Sequence, residues 1–137
     1  MKRNIVPLGI IIIFLLMLIP AIGAYESVED EPELETYIYS GFHIFEFKIH
    51  VENIGTVPAH HVKITDVNTD GSIYYNFQPA KMREYTINPG MSTAFVTRSM
   101  AFGMGNFSVS MTVSCDEGMS STSSVIGVII GPFIFIP

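Results

Sequence analysis

The sequence predicts an all-β protein built as an antiparallel sandwich, and three observations predict it. Phe45, Phe47, Ile49 and Val51 alternate with Glu46, Lys48, His50 and Glu52. Side chains two apart on a strand share a face, so this strand has an apolar face and a charged one. Phe107, Val109, Met111, Val113 and Cys115 alternate in the same way with Ser108, Ser110, Thr112 and Ser114, which reads as a half-buried strand. Elsewhere, short apolar runs are separated by turn formers at spacings of about ten residues, with no helical period after the N-terminal segment. Together they give an immunoglobulin-like antiparallel β-sandwich of about seven strands, preceded by an N-terminal signal or anchor helix.

A chain of 137 residues is enough for one domain with its own core. With 7 Lys and Arg against 13 Asp and Glu, a nucleic-acid phosphate partner is not expected. Lys2 and Arg3 precede an apolar run from Leu8 to Ile19, and Pro20 to Ala24 closes it with small residues. Residues 1–24 therefore read as an export signal cleaved after Gly23 or Ala24. The rival reading is an uncleaved anchor across residues 5–22, near the lower length limit for spanning a bilayer. Either reading places the domain outside the cytoplasm, extracellular or at the cell surface. Cys115 is the only cysteine, so an intrachain disulfide is impossible and a buried thiol is expected.

Residues 25–35 hold six of the acids and read as a solvated acidic linker, leaving 36–137 for the sandwich. A first strand is expected over Thr36 to Tyr39, then a break at Ser40-Gly41. The Phe45–Glu52 strand stops at Asn53-Ile54-Gly55, and a partner strand resumes through Val62 and Ile64. Asp66 to Gly71 is a cluster of turn formers, after which Ile73, Tyr75 and Phe77 form another strand and Tyr74 points outward. Gln78-Pro79-Ala80 breaks it. Asn88-Pro89-Gly90 is a turn in which proline presets φ and glycine accepts a positive φ. Ser92 to Met100 is a strand, Gly103 to Gly105 a flexible break, and Asp116 to Gly118 a turn. Val125 to Pro137 is uncharged and reads as a terminal strand buried on both faces, bent or ended at Gly131-Pro132.

Val51-x-Asn53-x-Gly55, then Ala59, Val62 and Ile64, and later Ile87-x-Pro89-Gly90-x-Ser92, resemble the CARDB-like group of immunoglobulin-like domains from bacterial and archaeal surface proteins. The resemblance covers roughly residues 40 to 124. It implies a seven-stranded sandwich with a role in adhesion, spacing or surface assembly, and no catalytic residues. In physical terms, Asn53 and Gly55 suit left-handed conformations that end a strand, and Ala59 leaves room for close packing.

Asp66-x-Asn68-x-Asp70-Gly71-x-Ile73 matches the first eight positions of an EF-hand-type calcium loop, but Phe77 stands where the bidentate acid belongs. The trio is a weak calcium candidate against a plain hairpin turn, and no other cofactor is indicated. His43, His50, His60 and His61 lack a fixed zinc spacing, and a solvated strand face is the favoured reading. Asn106-Phe107-Ser108 is an N-glycosylation sequon. Without a Gly-x-Ser-x-Gly elbow or convergent acids, an enzyme is rejected. The expected function is that of an exported, non-catalytic surface module acting in adhesion, spacing or assembly through protein contacts. Its expected partners are other cell-surface proteins or itself, with membrane contact only through residues 5–22 if they are uncleaved. The alternative is a ligand-binding module for surface carbohydrate or calcium.

Overall fold

The computed structural model describes residues 30–39, 41–97 and 99–137, which form nine strands in two antiparallel sheets. The smaller sheet consists of β1 (Leu34–Ile38), β3 (Lys48–Asn53) and β6 (Ser92–Val96), with β3 in the middle. The larger begins with β2 (Gly41–Ile44), β9 (Phe133–Ile136) and β8 (Ser120–Gly131). It continues through β7 (Ala101–Ser114) and β4 (Ala59–Tyr75) to β5 (Tyr85–Ile87). The predicted all-β, sandwich-like architecture is present. The signal or anchor at 1–24 and the linker up to residue 29 lie outside the described residues.

The two alternating runs face each other. Phe47, Ile49 and Val51 of the small sheet are fully buried against Ile64, Met111 and Val113 of the large one. The Phe47 ring lies 5.3 Å from that of Tyr75 and 5.7 Å from that of Phe107, so aromatic contacts fasten the layers together. Along one side, Thr36 of β1 meets β8: its hydroxyl lies 2.9 Å from that of Ser121 and 2.8 Å from that of Ser123. Those inward serines are thereby satisfied where an unpaired hydroxyl would be costly.

Several expectations are corrected. The strand through Phe45 and the one through Val62 do not pair: β3 joins β1 and β6, while β4 lies in the other sheet between β5 and β7. Phe45 itself has φ 65 and is exposed, because the chain breaks there between β2 and β3. Asp66 to Gly71 is not a hairpin turn. β4 runs straight through it, and its pairing with β7 absorbs the turn-forming residues as bulges near Thr65 and at Gly71–Ile73. Gly103 to Gly105 is likewise strand, and glycine is needed at 103 because a Cβ there would run into the backbone of Ser72 and Ile73. β1 begins at Leu34, and Glu33 accepts a hydrogen bond from the Ile54 N–H at 2.8 Å, so the acidic stretch docks on the domain before residue 36. The Asn88–Gly90 turn forms as expected, with Met91 N–H donating to Asn88 O at 3.0 Å and Gly90 at φ 71.

The tail departs most from expectation. It does pair within its own sheet, with β8 along β7 from Gly103 to Ser114 and β9 folding back on β8. But only one of its faces is buried. Ile129, Ile134 and Ile136 point into the core, and among the described residues no layer lies over the opposite side chains.

Candidate functional site: an apolar face on the large sheet

The residues behind the family resemblance hold the fold together. Asn53 is fully buried at the end of β3, with an ordinary strand backbone instead of the expected left-handed one. Its amide nitrogen donates to Val57 O at 2.8 Å and Ile87 O at 2.9 Å; its amide oxygen accepts from Gly55 N–H at 3.1 Å and Glu33 N–H at 3.3 Å. Gly55 also keeps a negative φ. It is required because a Cβ would collide with the backbone of Glu31 and Glu33. Ala59 is buried opposite Ile87, and Pro89 and Gly90 make the turn that returns Met91 O to the Asn53 N–H at 3.0 Å. Val51 fills the core. These six positions are structural.

The histidines do not converge. His50 stacks on Tyr37 at 4.5 Å in the small sheet, while His60 and His61 reach the Asp116–Glu117 turn. Adjacent strand residues should point oppositely, but a register shift between Ala59 and Val62, with His61 at φ 49, lets both reach that turn. His60 Nδ1 lies 2.5 Å from Glu117 Oε1, and its N–H also meets the carboxylate. Desolvation pushes the Glu117 carboxyl up, but the hydrogen bonds from the His60 ring and backbone outweigh it and hold the group down at about 2. A depressed carboxyl stabilises the fold above its ordinary value of 4.5 and loses that contribution as pH falls toward 2. The melting-temperature gap between the native chain and Glu117→Gln is expected to be steady above that range and to close below it. A gap unchanged down to pH 2 would contradict the clasp.

Asp66, Asn68 and Asp70 stand on one face of β4. Alternate strand residues are about 7 Å apart, so the outer two are separated by roughly 13 Å and the trio does not encircle one ion. Asn68 Nδ2 instead donates to Asp66 Oδ2 at 2.6 Å. Among the described residues, no group of three or more His, Cys, Asp or Glu side chains is placed to hold a metal. Cys115 is buried and its thiol is pushed up by desolvation. Asn106 is exposed in mid-strand, not at a strand start.

What the trio and Asn106 share is the outer face of the large sheet, and that face divides in two. Directly paired strand residues share a face, so the register can be read as rows. At one end the rows are hydroxyl-bearing: Ser114 beside Ser120, Thr112 beside Thr122, Ser110 beside Ser124. At the other they are apolar. Met104, Ile130, Phe133 and Ile44 form one row across β7, β8, β9 and β2. The next runs Asn106, Val128, Phe135, Phe42, and Tyr74 beside Phe102 flanks them. Tyr74 and Met104 are each 71% exposed and Ile126 is 69% exposed. Phe42 lies 5.1 Å from Phe135 and 5.6 Å from Phe133, so the aromatic rings at this edge form a cluster.

These ten apolar side chains present on the order of 1,000 Å² of non-polar surface, where a typical monomer's largest patch is about 300–600 Å². A groove of about 910 Å³ borders them, lined by Phe42, Ile126, Val128 and Phe135, with Asn106, Ser108 and Asp70 as its polar and charged members. Gly127 supports it from beneath: a Cβ there would stand 2.8 Å from the Phe107 ring, which packs under β8. The sequence carries a signal for this face. Ser120, Thr122 and Ser124 give way at the same strand phase to Ile126, Val128 and Ile130.

No protein-family model matches the chain, and no curated protein was found that matches it.

Proposed function

We propose that this chain is an exported, non-catalytic surface module of immunoglobulin-like type, akin to the CARDB-like group, which acts by contact through the apolar outer face of its large sheet. The exposed end of that face carries the reading. An uncovered apolar area of this size on a sheet is an aggregation hazard unless a partner covers it. The residues at the family-like motif serve stability, which leaves this face as the part of the domain with no structural reason for its composition. Its surface is that of a docking face, apolar with a polar rim of serines, threonines and Asn106. Adhesion, spacing and assembly all use such a face.

Charge insertion tests the reading. Val128→Glu places a carboxylate in the middle of the apolar rows without touching the core, and Thr122→Glu does the same in the hydroxyl half. Retention of the full chain at the surface of intact cells is expected to fall with Val128→Glu and to persist with Thr122→Glu, while both variants melt like the native domain. Equal retention of the two would sink the reading.

The groove favours a second reading, a carbohydrate subsite, because Phe42 and Phe135 stand beside Asn106, Asp70 and Ser108. Aromatic faces with a few polar groups are what sugar recognition uses. Phe42→Ala and Asn106→Ala would then both abolish binding of cell-surface oligosaccharide to the purified chain.

A further inference from the structure

Resting on the contact reading above, we propose that the partner covering the apolar face is a second copy of this chain, packed sheet against sheet about a twofold axis near Val128 and Ile130. The area is of the right size. Roughly 1,000 Å² of exposed surface per copy is comparable to the ~800 Å² that each partner contributes to a standard stable interface. The charge distribution allows a copy as the partner. The chain carries a formal net charge of −6, yet among the described residues Asp70 contributes the one charged side chain lining the groove, at its border beside Ser108. Two copies therefore meet where like-charge repulsion is smallest.

A lipid surface is a poorer fit. Its headgroups are commonly anionic, and among the described residues neither Lys nor Arg lines the groove to meet them. A basic partner is a poorer fit as well, since the acids that would recognise it are absent from the apolar rows. A twofold contact is also self-complementary by construction. The rows along β8 are central, with β7 and β4 on one side and β9 and β2 on the other, so the axis falls where the patch is widest. Sheets packed face to face in this way interdigitate their side chains at about 10 Å separation. The hydroxyl half of the same face then forms part of the wet rim.

Ile130→Cys in the full chain, exported from its own N-terminal segment and treated on intact cells with a bis-maleimide, is expected to give a covalent dimer with the mass of two exported chains plus one cross-linker. The native chain is the blank, since its one thiol, Cys115, is buried. Adding Val128→Glu is expected to cut the dimer at least ~10-fold, because each copy would then bury an unpaired carboxylate. Thr122→Cys, in the hydroxyl half, is expected to cross-link far less. Three results overturn the proposal: an adduct of a different mass, a cross-link indifferent to Val128→Glu, or no cross-link at all. If no dimer forms yet Val128→Glu still releases the chain from cells, the contact reading stands and the partner is another protein or lipid. If neither effect is seen, both fail.

Discussion

Removing Val125 to Pro137 is expected to abolish the cooperative unfolding transition of the domain. The deletion takes away β9 and the second half of β8, leaving β2 without its strand neighbour β9. It also strips Ile129, Ile134 and Ile136 from the core and uncovers the Phe107 ring that lies under Gly127. Three buried aliphatic side chains at ~1.5–3 kcal/mol each give a loss of about 5–9 kcal/mol before any hydrogen bond is counted. Domains of this size hold only about 5–15 kcal/mol in total, so the remainder should not stay folded at ambient temperature. The checks are a thermal melt by circular dichroism and a dye-binding assay for exposed core. A truncated chain that melts cooperatively as a soluble monomer would show that the tail is not an integral part of the sheet.

Asn53→Leu should have the next largest effect, a loss of about 3–5 kcal/mol in a denaturant titration. Leucine matches the shape of asparagine and makes none of its bonds. Val57 O, Ile87 O, Gly55 N–H and Glu33 N–H would all lose a partner at a buried or half-buried site, and each such loss costs ~1–3 kcal/mol where water cannot replace it. Asn53→Asp is expected to be nearly as damaging at neutral pH. A carboxylate still accepts from Gly55 and Glu33 but is forced against two carbonyl oxygens. A loss below ~1 kcal/mol for both variants would mean the four bonds carry little net stability.

Asn53 illustrates how the sequence is informative and where it stops being so. The Val51-x-Asn53-x-Gly55 pattern marks the right residues, because a strand end with a buried amide imposes a fixed short spacing. It does not show what the amide bonds to, since Glu33 and Ile87 come from distant segments brought in by the fold. Alternation was a dependable guide wherever a strand had one wet face, as over Lys48–Asn53 and Phe107–Cys115. It failed where local propensity conflicted with pairing. Asp66 to Gly71 has the composition of a turn, yet β7 holds it extended through eleven paired positions of β4, with bulges taking up the misfit. The apolar face was half visible. Ile126, Val128 and Ile130 alternate plainly with Val125, Gly127 and Ile129, but an uncharged run looks the same whether one face or both are covered. Only the strand order shows that, among the described residues, no third layer lies over them.

That the apolar outer face is covered in the protein's working state is tested most directly by methionine oxidation on intact cells. Met104 stands in the apolar rows and is 71% exposed in the isolated domain; Met91 is 60% exposed beside the Asn88–Gly90 turn, outside those rows. Peroxide oxidises accessible methionine to the sulfoxide, and digestion with mass spectrometry resolves the two sites. In the purified, dilute chain both should oxidise at similar rates. On cells Met91 is expected to oxidise still while Met104 is protected several-fold, and Val128→Glu is expected to remove the protection. Met104 and Met91 oxidising alike on cells, with or without the substitution, would contradict the claim that this face is a contact surface.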